Sequence, residues 1–289
     1  MHPAPSVIIF TVLSGLGFGF LACLDIGLIQ PQGLGGFLAF AIGYAFAITG
    51  LVASTFHLGH PERAIRAFTQ WRTSWLSREG WAAVLALLAT APVALGAMGG
   101  GRPGLLGVVA ALLCLATIGC TSMIYAQLKT VPRWNVWTTP ALFFGFALTG
   151  GVILCGLPLP GAALSLALAA FLAFASARGD RRFAEAGATL GSATGLGAIG
   201  QVRVFEQAHT AGNYLLREMI HVVGRKHARK LRTIAIVTVA LPAPILLLLP
   251  DEGATMLLAL LFHLLGAFVS RWLFFAEAEH VVGLYYGRR

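Results

Sequence analysis

Apolar stretches long enough to cross a bilayer recur along almost the whole of this 289-residue sequence. A transmembrane helix needs about 20 mostly apolar residues. Charged residues make up only 11% of the chain, against about 25% in soluble domains. The sequence therefore predicts an all-α, polytopic membrane protein, a bundle of eight transmembrane helices that forms a single integral membrane domain over residues 1–289. The predicted spans cover residues 5–29, 34–56, 79–98, 105–127, 138–156, 160–177, 233–249 and 254–276.

The positive charges indicate which ends of the predicted spans share a side. Of the 20 Lys and Arg residues, 19 fall in the connections 57–78, 128–137 and 178–232 or towards the C-terminal end, and only Arg102 falls on the opposite side. We call the side that carries these 19 residues the basic side. Short loops rich in Lys and Arg stay in the cytoplasm, so the basic side and both termini are predicted to be cytoplasmic. A basic face could also exist to dock an acidic partner.

The connection 178–232 is long and basic, with ten Lys and Arg against four Asp and Glu. Apolar residues are interleaved with the charged ones, so residues 214–230 can form an amphipathic basic helix. Such a helix could lie on anionic headgroups or bind a partner protein. In the second interpretation, Arg203, Arg217 and Arg225 are the candidate docking residues. Nucleic acid is not needed to explain this charge.

Titratable residues flank the connection between the second and third spans. His57 ends one span and Glu79 begins the next, so a hairpin would place both side chains at the same depth on the basic side. A membrane quinone gains or loses protons together with electrons, and a histidine and a partly desolvated glutamate can exchange them. A carboxylate inside the membrane usually faces a cavity or a partner. The alternative is structural, with Glu79 stabilising a helix N-terminus, Ser77 as its cap, and His57 capping carbonyl groups.

Metal-binding patterns are weak. The four cysteines are scattered among the predicted spans, so any iron–sulfur cluster must belong to another subunit. A b-type haem held between two helices needs two facing histidines, and only His263 lies well inside a span. No haem is therefore predicted.

Asp25 and the pair Glu277 and His280 each have competing interpretations. Asp25, near the far end of the first span, could admit protons towards the quinone site or reach the headgroups, and we favour the second because helix ends tolerate acids. Glu277 and His280 have the spacing of half a di-iron site, which requires a second such motif. We interpret this segment instead as an interfacial helix end with Tyr285 and Tyr286 at headgroup level.

Five strings, in the same order along the chain, resemble the membrane-anchor subunit of the dimethyl sulfoxide reductase family. They are HLGHPERA at 57–64, SWLSREG at 74–80, NYLLREM at 213–219, RKHARKLR at 225–232 and RWLFFAEAEHVVGLYYG at 271–287. The resemblance implies an eight-helix anchor without haem of its own. It implies two partners, an iron–sulfur cluster subunit and a molybdopterin catalytic subunit.

The resemblance also implies that His57 and Glu79 serve the quinone site. We take these two residues and their neighbours as the site for quinone binding and proton transfer. The neighbours are Arg63, Trp75, Ser77 and Arg78.

Within the family, the opening residues 1–17 and parts of the long connection resemble the anchors of cytoplasmic-facing sulfite dehydrogenases. This implies a multi-pass subunit of the bacterial inner membrane that passes electrons from sulfite oxidation to ubiquinone or menaquinone and has no catalysis alone. The anchor of a quinol-dependent dimethyl sulfoxide reductase is the alternative within the family. A small-molecule membrane transporter is the alternative of another class, although we see neither an inverted repeat nor paired broken helices.

Overall fold

The computed structural model describes residues 1–57, 60–206, 213–220, 226–250 and 252–287. Throughout these residues the regular structure is helical. The α-helices are α1 (Pro5–Asp25), α2 (Gly33–Ala53), α3 (Trp75–Met98), α4 (Gly104–Ala126), α5 (Thr138–Leu154), α6 (Pro158–Glu185), α7 (Leu190–Thr194), α8 (Ala228–Ala240), α9 (Pro242–Leu248) and α10 (Glu252–Ala276). Short 3-10 helices cover Ser54–His57, Pro61–Phe68 and Val281–Tyr286, and Leu215–Met219 form one π-helical turn.

Seven helical segments of the described chain are long and apolar enough to cross a membrane. They are α1, α2 with the turn that follows it, α3, α4, α6, α8 continued by α9, and α10. The prediction of an all-helical, multi-pass membrane protein is therefore confirmed. Helix α5 is apolar but has only 17 residues, or about 25 Å at 1.5 Å per residue, so a count of eight crossings stays a prediction.

The long connection differs from its prediction at both ends. Helix α6 continues to Glu185 and α8 already begins at Ala228, so the connection covers residues 186–227 and not 178–232. The continuous helix predicted for residues 214–230 is wrong. Its π-helical turn ends at Met219, because Ile220 has φ −112° and ψ 64°, outside the helical region.

Helix α1 lies in the middle of the bundle, in contact with α2, α4, α5 and α10. Every residue from Leu16 to Asp25 is buried. Glycines allow the close approach: a Cβ on Gly17 would lie 2.8 Å from the carbonyl oxygen of Gly43 on α2. Small residues are common where helices pack in lipid, because association there depends on close backbone contact and not on the exclusion of water.

Four charged residues form an ion-pair network at the basic side. The Arg133 guanidinium contacts Asp180 Oδ1 at 2.8 Å and Glu277 Oε2 at 2.5 Å, and Arg232 contacts Asp180 Oδ1 and Glu277 Oε1, both at 2.5 Å. These residues come from the connection between α4 and α5, from α6, from α8 and from the residue after α10. The network therefore ties four parts of the chain together at one end of the bundle.

The segment after α10 packs on the protein. Tyr286 is buried, and its hydroxyl oxygen accepts a hydrogen bond from Asn213 Nδ2 at 3.1 Å; its position at headgroup level stays a prediction. The Tyr285 hydroxyl donates to the Ala193 carbonyl oxygen at 2.7 Å. Burial and the nearby N-terminal ammonium lower the pKa of His280. Its neutral Nδ1 accepts the Val282 N–H at 3.0 Å.

Candidate functional site

The candidate quinone site lies at the basic-side start of α3. Ser74 is extended, and its Oγ accepts a hydrogen bond from the Ser77 backbone N–H at 3.5 Å, the arrangement of an N-cap. The cap is therefore Ser74 and not Ser77. Helix α3 begins at Trp75, so Glu79 lies in its second turn and not at its first residue.

The Glu79 side chain points into the bundle and is only 4% exposed. Its Oε1 accepts a hydrogen bond from the Thr121 hydroxyl of α4 at 2.5 Å. Among the described residues, nothing donates to Oε2 and no cation forms an ion pair with the carboxylate. One oxygen of Glu79 is thus held by the protein, and the other can hold or release a proton.

The neighbours of Glu79 fasten the connection before α3 to the helix. The Ser77 hydroxyl donates to the carbonyl oxygen of Ala67, in the 3-10 helix Pro61–Phe68. The Trp81 indole N–H donates to the Phe68 carbonyl oxygen at 2.9 Å, and the two rings meet edge to face. The first turns of α3 therefore hold this 3-10 helix in place.

Arg78 also acts on the connection and not on Glu79. Its Nε donates to the Trp71 carbonyl oxygen at 2.9 Å, and its Nη2 donates to that of Arg72 at 2.7 Å. The guanidinium lies 4.3 Å from the centre of the Trp75 ring. Arg63 is exposed, with its Nε 4.0 Å from Glu62 Oε1. Of the six predicted site residues, Ser77 and Glu79 are described as buried; Ser77 is bonded to the connection before α3, and Glu79 is bonded to Thr121 of α4.

His57 ends the 3-10 turn that extends α2, and its imidazole lies outside the described side chains. Of the predicted docking residues, Arg203 and Arg217 are exposed, whereas Arg225 falls in a part of the chain that the structure does not describe.

Sequence reasoning missed Thr121, which is buried beside Glu79. The available signal was the spacing of Cys114, Thr117 and Thr121 on one face of α4, because residues at this spacing share a helix face. That spacing does not by itself reveal which helix the face meets.

Asp25 is fully buried, so the prediction that it reaches the headgroups is wrong. One oxygen accepts hydrogen bonds from the Thr90 hydroxyl at 2.8 Å and from the Cys114 sulfhydryl at 3.8 Å. Thr90 lies eleven positions after Glu79 on α3, which corresponds to about 16 Å at 1.5 Å per residue. The Asp25 carboxyl therefore joins α1 to α3 and α4 far from Glu79.

Within the described chain, no group of three or more His, Cys, Asp or Glu side chains could hold a metal ion. The imidazole of His263 is buried, with Nε2 3.1 Å from the Phe146 carbonyl oxygen.

Comparison with known proteins decides the family. The profile of the family described as DMSO reductase anchor subunit (DmsC) matches residues 1–277. The chain belongs to the DmsC family. This DmsC-family protein is 33% identical to a subunit of the sulfite dehydrogenase of Allochromatium vinosum, with 99% of each chain covered. No solved structure matches it. The chain is thus a membrane anchor of a molybdoenzyme complex, as the resemblance in the sequence implied.

Proposed function

We propose that this DmsC-family anchor exchanges electrons between an iron–sulfur partner subunit and the membrane quinone pool, and that Glu79 exchanges protons with the quinone. The single observation that carries this proposal is the buried Glu79 carboxylate, which has one oxygen held by Thr121 and the other without a described partner. A buried carboxylate is costly in a membrane and suggests a function. Proton exchange at the ring oxygens is the function that quinone chemistry requires.

The proposal gives separate tasks to Glu79, Thr121 and His57 and to the residues that hold the connection before α3. A bound quinone supplies the redox chemistry, because it takes up or releases two electrons and two protons. Glu79 holds or releases a proton at Oε2, while Thr121 fixes the orientation of the carboxylate. His57 is the second proton-exchanging residue. Ser77 and Arg78 position the connection that follows His57, with Trp75 and Arg63 at its edge.

An apolar groove elsewhere in the bundle fits a lipid chain or the tail of a quinone, but not the quinone headgroup. The groove lies beside the start of α1 and the end of α10, and it is lined by residues that include Ile8, Phe268 and Trp272. None of its lining side chains is titratable, so the groove cannot exchange the protons that the reaction needs.

The long connection supports docking of a partner. Ile199 is 84% exposed and Phe205 is 95% exposed, and the ring of Tyr214 is also exposed, near Arg203 and Arg217 in the sequence. Exposed apolar side chains of this kind mark interaction sites. Because the amphipathic helix expected for a headgroup-bound segment is not continuous, this surface favours the iron–sulfur subunit, which in turn contacts the molybdopterin catalytic subunit.

The similarity to a sulfite dehydrogenase subunit supports sulfite oxidation in the catalytic partner, with quinone reduction in this chain. The family description supports the alternative of sulfoxide reduction driven by quinol. In either case we place the chain in the bacterial inner membrane as one domain with eight crossings and both termini in the cytoplasm, following the positive-inside rule.

The test is to purify the chain with its native partners and to assay sulfite-dependent quinone reduction beside quinol-dependent sulfoxide reduction. We expect sulfite activity in the wild type and a loss of about 100-fold or more in Glu79→Gln and in His57→Ala, because positioned general acid–base groups contribute about 10² to 10⁴ in rate.

Glu62→Gln is the matched control, since this carboxylate lies in the same connection and is exposed. It should leave turnover unchanged. Full activity in Glu79→Gln, in a complex that remains assembled, would exclude the proposed proton exchange. Sulfoxide reduction without sulfite oxidation would keep the site and reverse the direction of electron flow.

A further inference from the structure

A buried arginine near the end of α10 has no counter-charge in the described structure. Arg271 is 7% exposed, and its guanidinium carbon lies 3.7 Å from the centre of the Phe143 ring. It stands five residues before Ala276, where α10 ends. Arginines so close to a helix end usually extend to the interface. Arg271 instead remains inside the bundle, and its Nε has no hydrogen-bond partner among the described residues.

Arg271 lines a small cleft between α5, α6, α8 and α10. Thr138, Ser176 and Ser270, each of which carries a hydroxyl group, line the same cleft. In the described part of the chain, none of these three hydroxyls has a hydrogen-bond partner. The cleft therefore presents several free donors together.

The acceptors at the edge of the cleft are already in use. Both carboxylate oxygens of Glu277 contact arginines of the ion-pair network described above, Oε2 with Arg133 and Oε1 with Arg232. The network of two arginines and two acids is neutral as a whole. Arg271 thus adds one uncompensated positive charge to a cleft with free donors, and one negatively charged acceptor would satisfy both features.

We propose that Arg271 and these hydroxyls bind one phosphate group carrying a single negative charge. A guanidinium presents its N–H donors in a planar fork that matches phosphate oxygens, and the serine and threonine hydroxyls supply single donors. The start of α5 and the end of α10 place the cleft at the basic end of the bundle. Basic pockets between transmembrane helices on the cytoplasmic side are known to bind lipid headgroups. The same chemistry could come from an anionic phospholipid or from free inorganic phosphate.

The test uses the full chain with its co-purifying partners in a neutral detergent, titrated with phosphatidylglycerol, phosphatidylcholine or sodium phosphate. Bound lipid is counted by native mass spectrometry, and the thermal unfolding midpoint is followed in parallel. We expect one tightly bound phosphatidylglycerol in the wild type and at least tenfold weaker binding in Arg271→Met. Arg102→Met, which removes an exposed arginine on the opposite side, should bind as the wild type does.

The titrations distinguish the two possible sources of the phosphate group, a phospholipid and free inorganic phosphate. Stabilisation by phosphatidylglycerol that sodium phosphate neither reproduces nor displaces identifies a lipid headgroup, whereas stabilisation by sodium phosphate alone identifies the free ion. Equal binding of phosphatidylglycerol and of phosphate by wild type and Arg271→Met would overturn the proposal.

A second variant keeps the test decisive if Arg271→Met fails to fold. Thr138→Val combined with Ser270→Ala removes two donors and leaves Arg271 on the Phe143 ring. Weaker binding in this variant supports the site, and unchanged binding would overturn it. The count of bound lipid and the thermal unfolding midpoint do not depend on enzyme activity. The result is therefore independent of the proposed quinone chemistry.

Discussion

The hydrogen bond from Thr121 to Glu79 joins α4 to α3 at the candidate site, and its removal has a predictable cost. Thr121→Val keeps the shape of the side chain and removes the donor. A hydrogen bond to a charged group contributes about 1.5–3 kcal/mol, and each 1.36 kcal/mol corresponds to about tenfold in rate. We expect kcat/KM for the quinone to fall about tenfold or more in the purified complex.

Thr117→Val is the matched control for this prediction. Thr117 is also a buried threonine of α4, one turn away, but its hydroxyl donates to the Leu113 carbonyl oxygen of its own helix at 2.9 Å. It should leave kcat/KM nearly unchanged. An equal loss in both variants would show that the effect comes from general packing and not from the orientation of Glu79.

The sequence could indicate Glu79 as a candidate but not the contacts of the buried side chains, for a physical reason. Glu79 could be singled out because a carboxylate in an apolar segment is conspicuous. The contact between Glu79 and Thr121 and the inward position of Asp25 depend on which face each of the helices α1, α3 and α4 turns towards its neighbours. Rotation is set by packing between helices, and hydropathy does not report it when all faces are apolar.

At the level of elements, the close packing of α1 against α2 leads to a second prediction. A Cβ on Gly17 would lie 2.7 Å from Ala47 Cα, whereas a Cβ on Gly15 would meet nothing nearer than Ala147 Cβ at 4.0 Å. Gly17→Ala should therefore lower the thermal unfolding midpoint, since overpacking costs about 1–3 kcal/mol. Gly15→Ala should not. Similar midpoints for the two variants would contradict the tight α1–α2 contact.

Element positions were predictable wherever apolar length alone decides them, as it does for α1 to α4. The end of α6 and the start of α8 were not predictable in this way, because the charges of Asp180 and Arg232 suggested a solvated connection. In the structure these two charges pair with each other, so both helices can continue beyond their apolar parts. The sequence shows the charges but not their pairing.

For the molecule as a whole, the charge asymmetry predicts sidedness. We expect a cysteine in place of Arg102 to react with a membrane-impermeant maleimide in intact cells. A cysteine in place of Ala186, an exposed residue just after α6, should react only after lysis. The native chain measures the background labelling, because its own cysteines are Cys23, Cys114 and Cys155, which are buried, and Cys120, which is half-buried. The opposite labelling pattern would place the basic side outside the cytoplasm.

The central position of α1 also sets the order in which the protein can be completed. Helix α1 is synthesised before α4, α5 and α10, all of which contact it. Until they arrive, the segment from Leu16 to Asp25 lacks several of the neighbours that bury it, and the Asp25 carboxyl lacks Cys114 of α4. The bundle thus closes around a helix that is made before several of its neighbours, and a chain interrupted before α10 would leave that helix open along one flank.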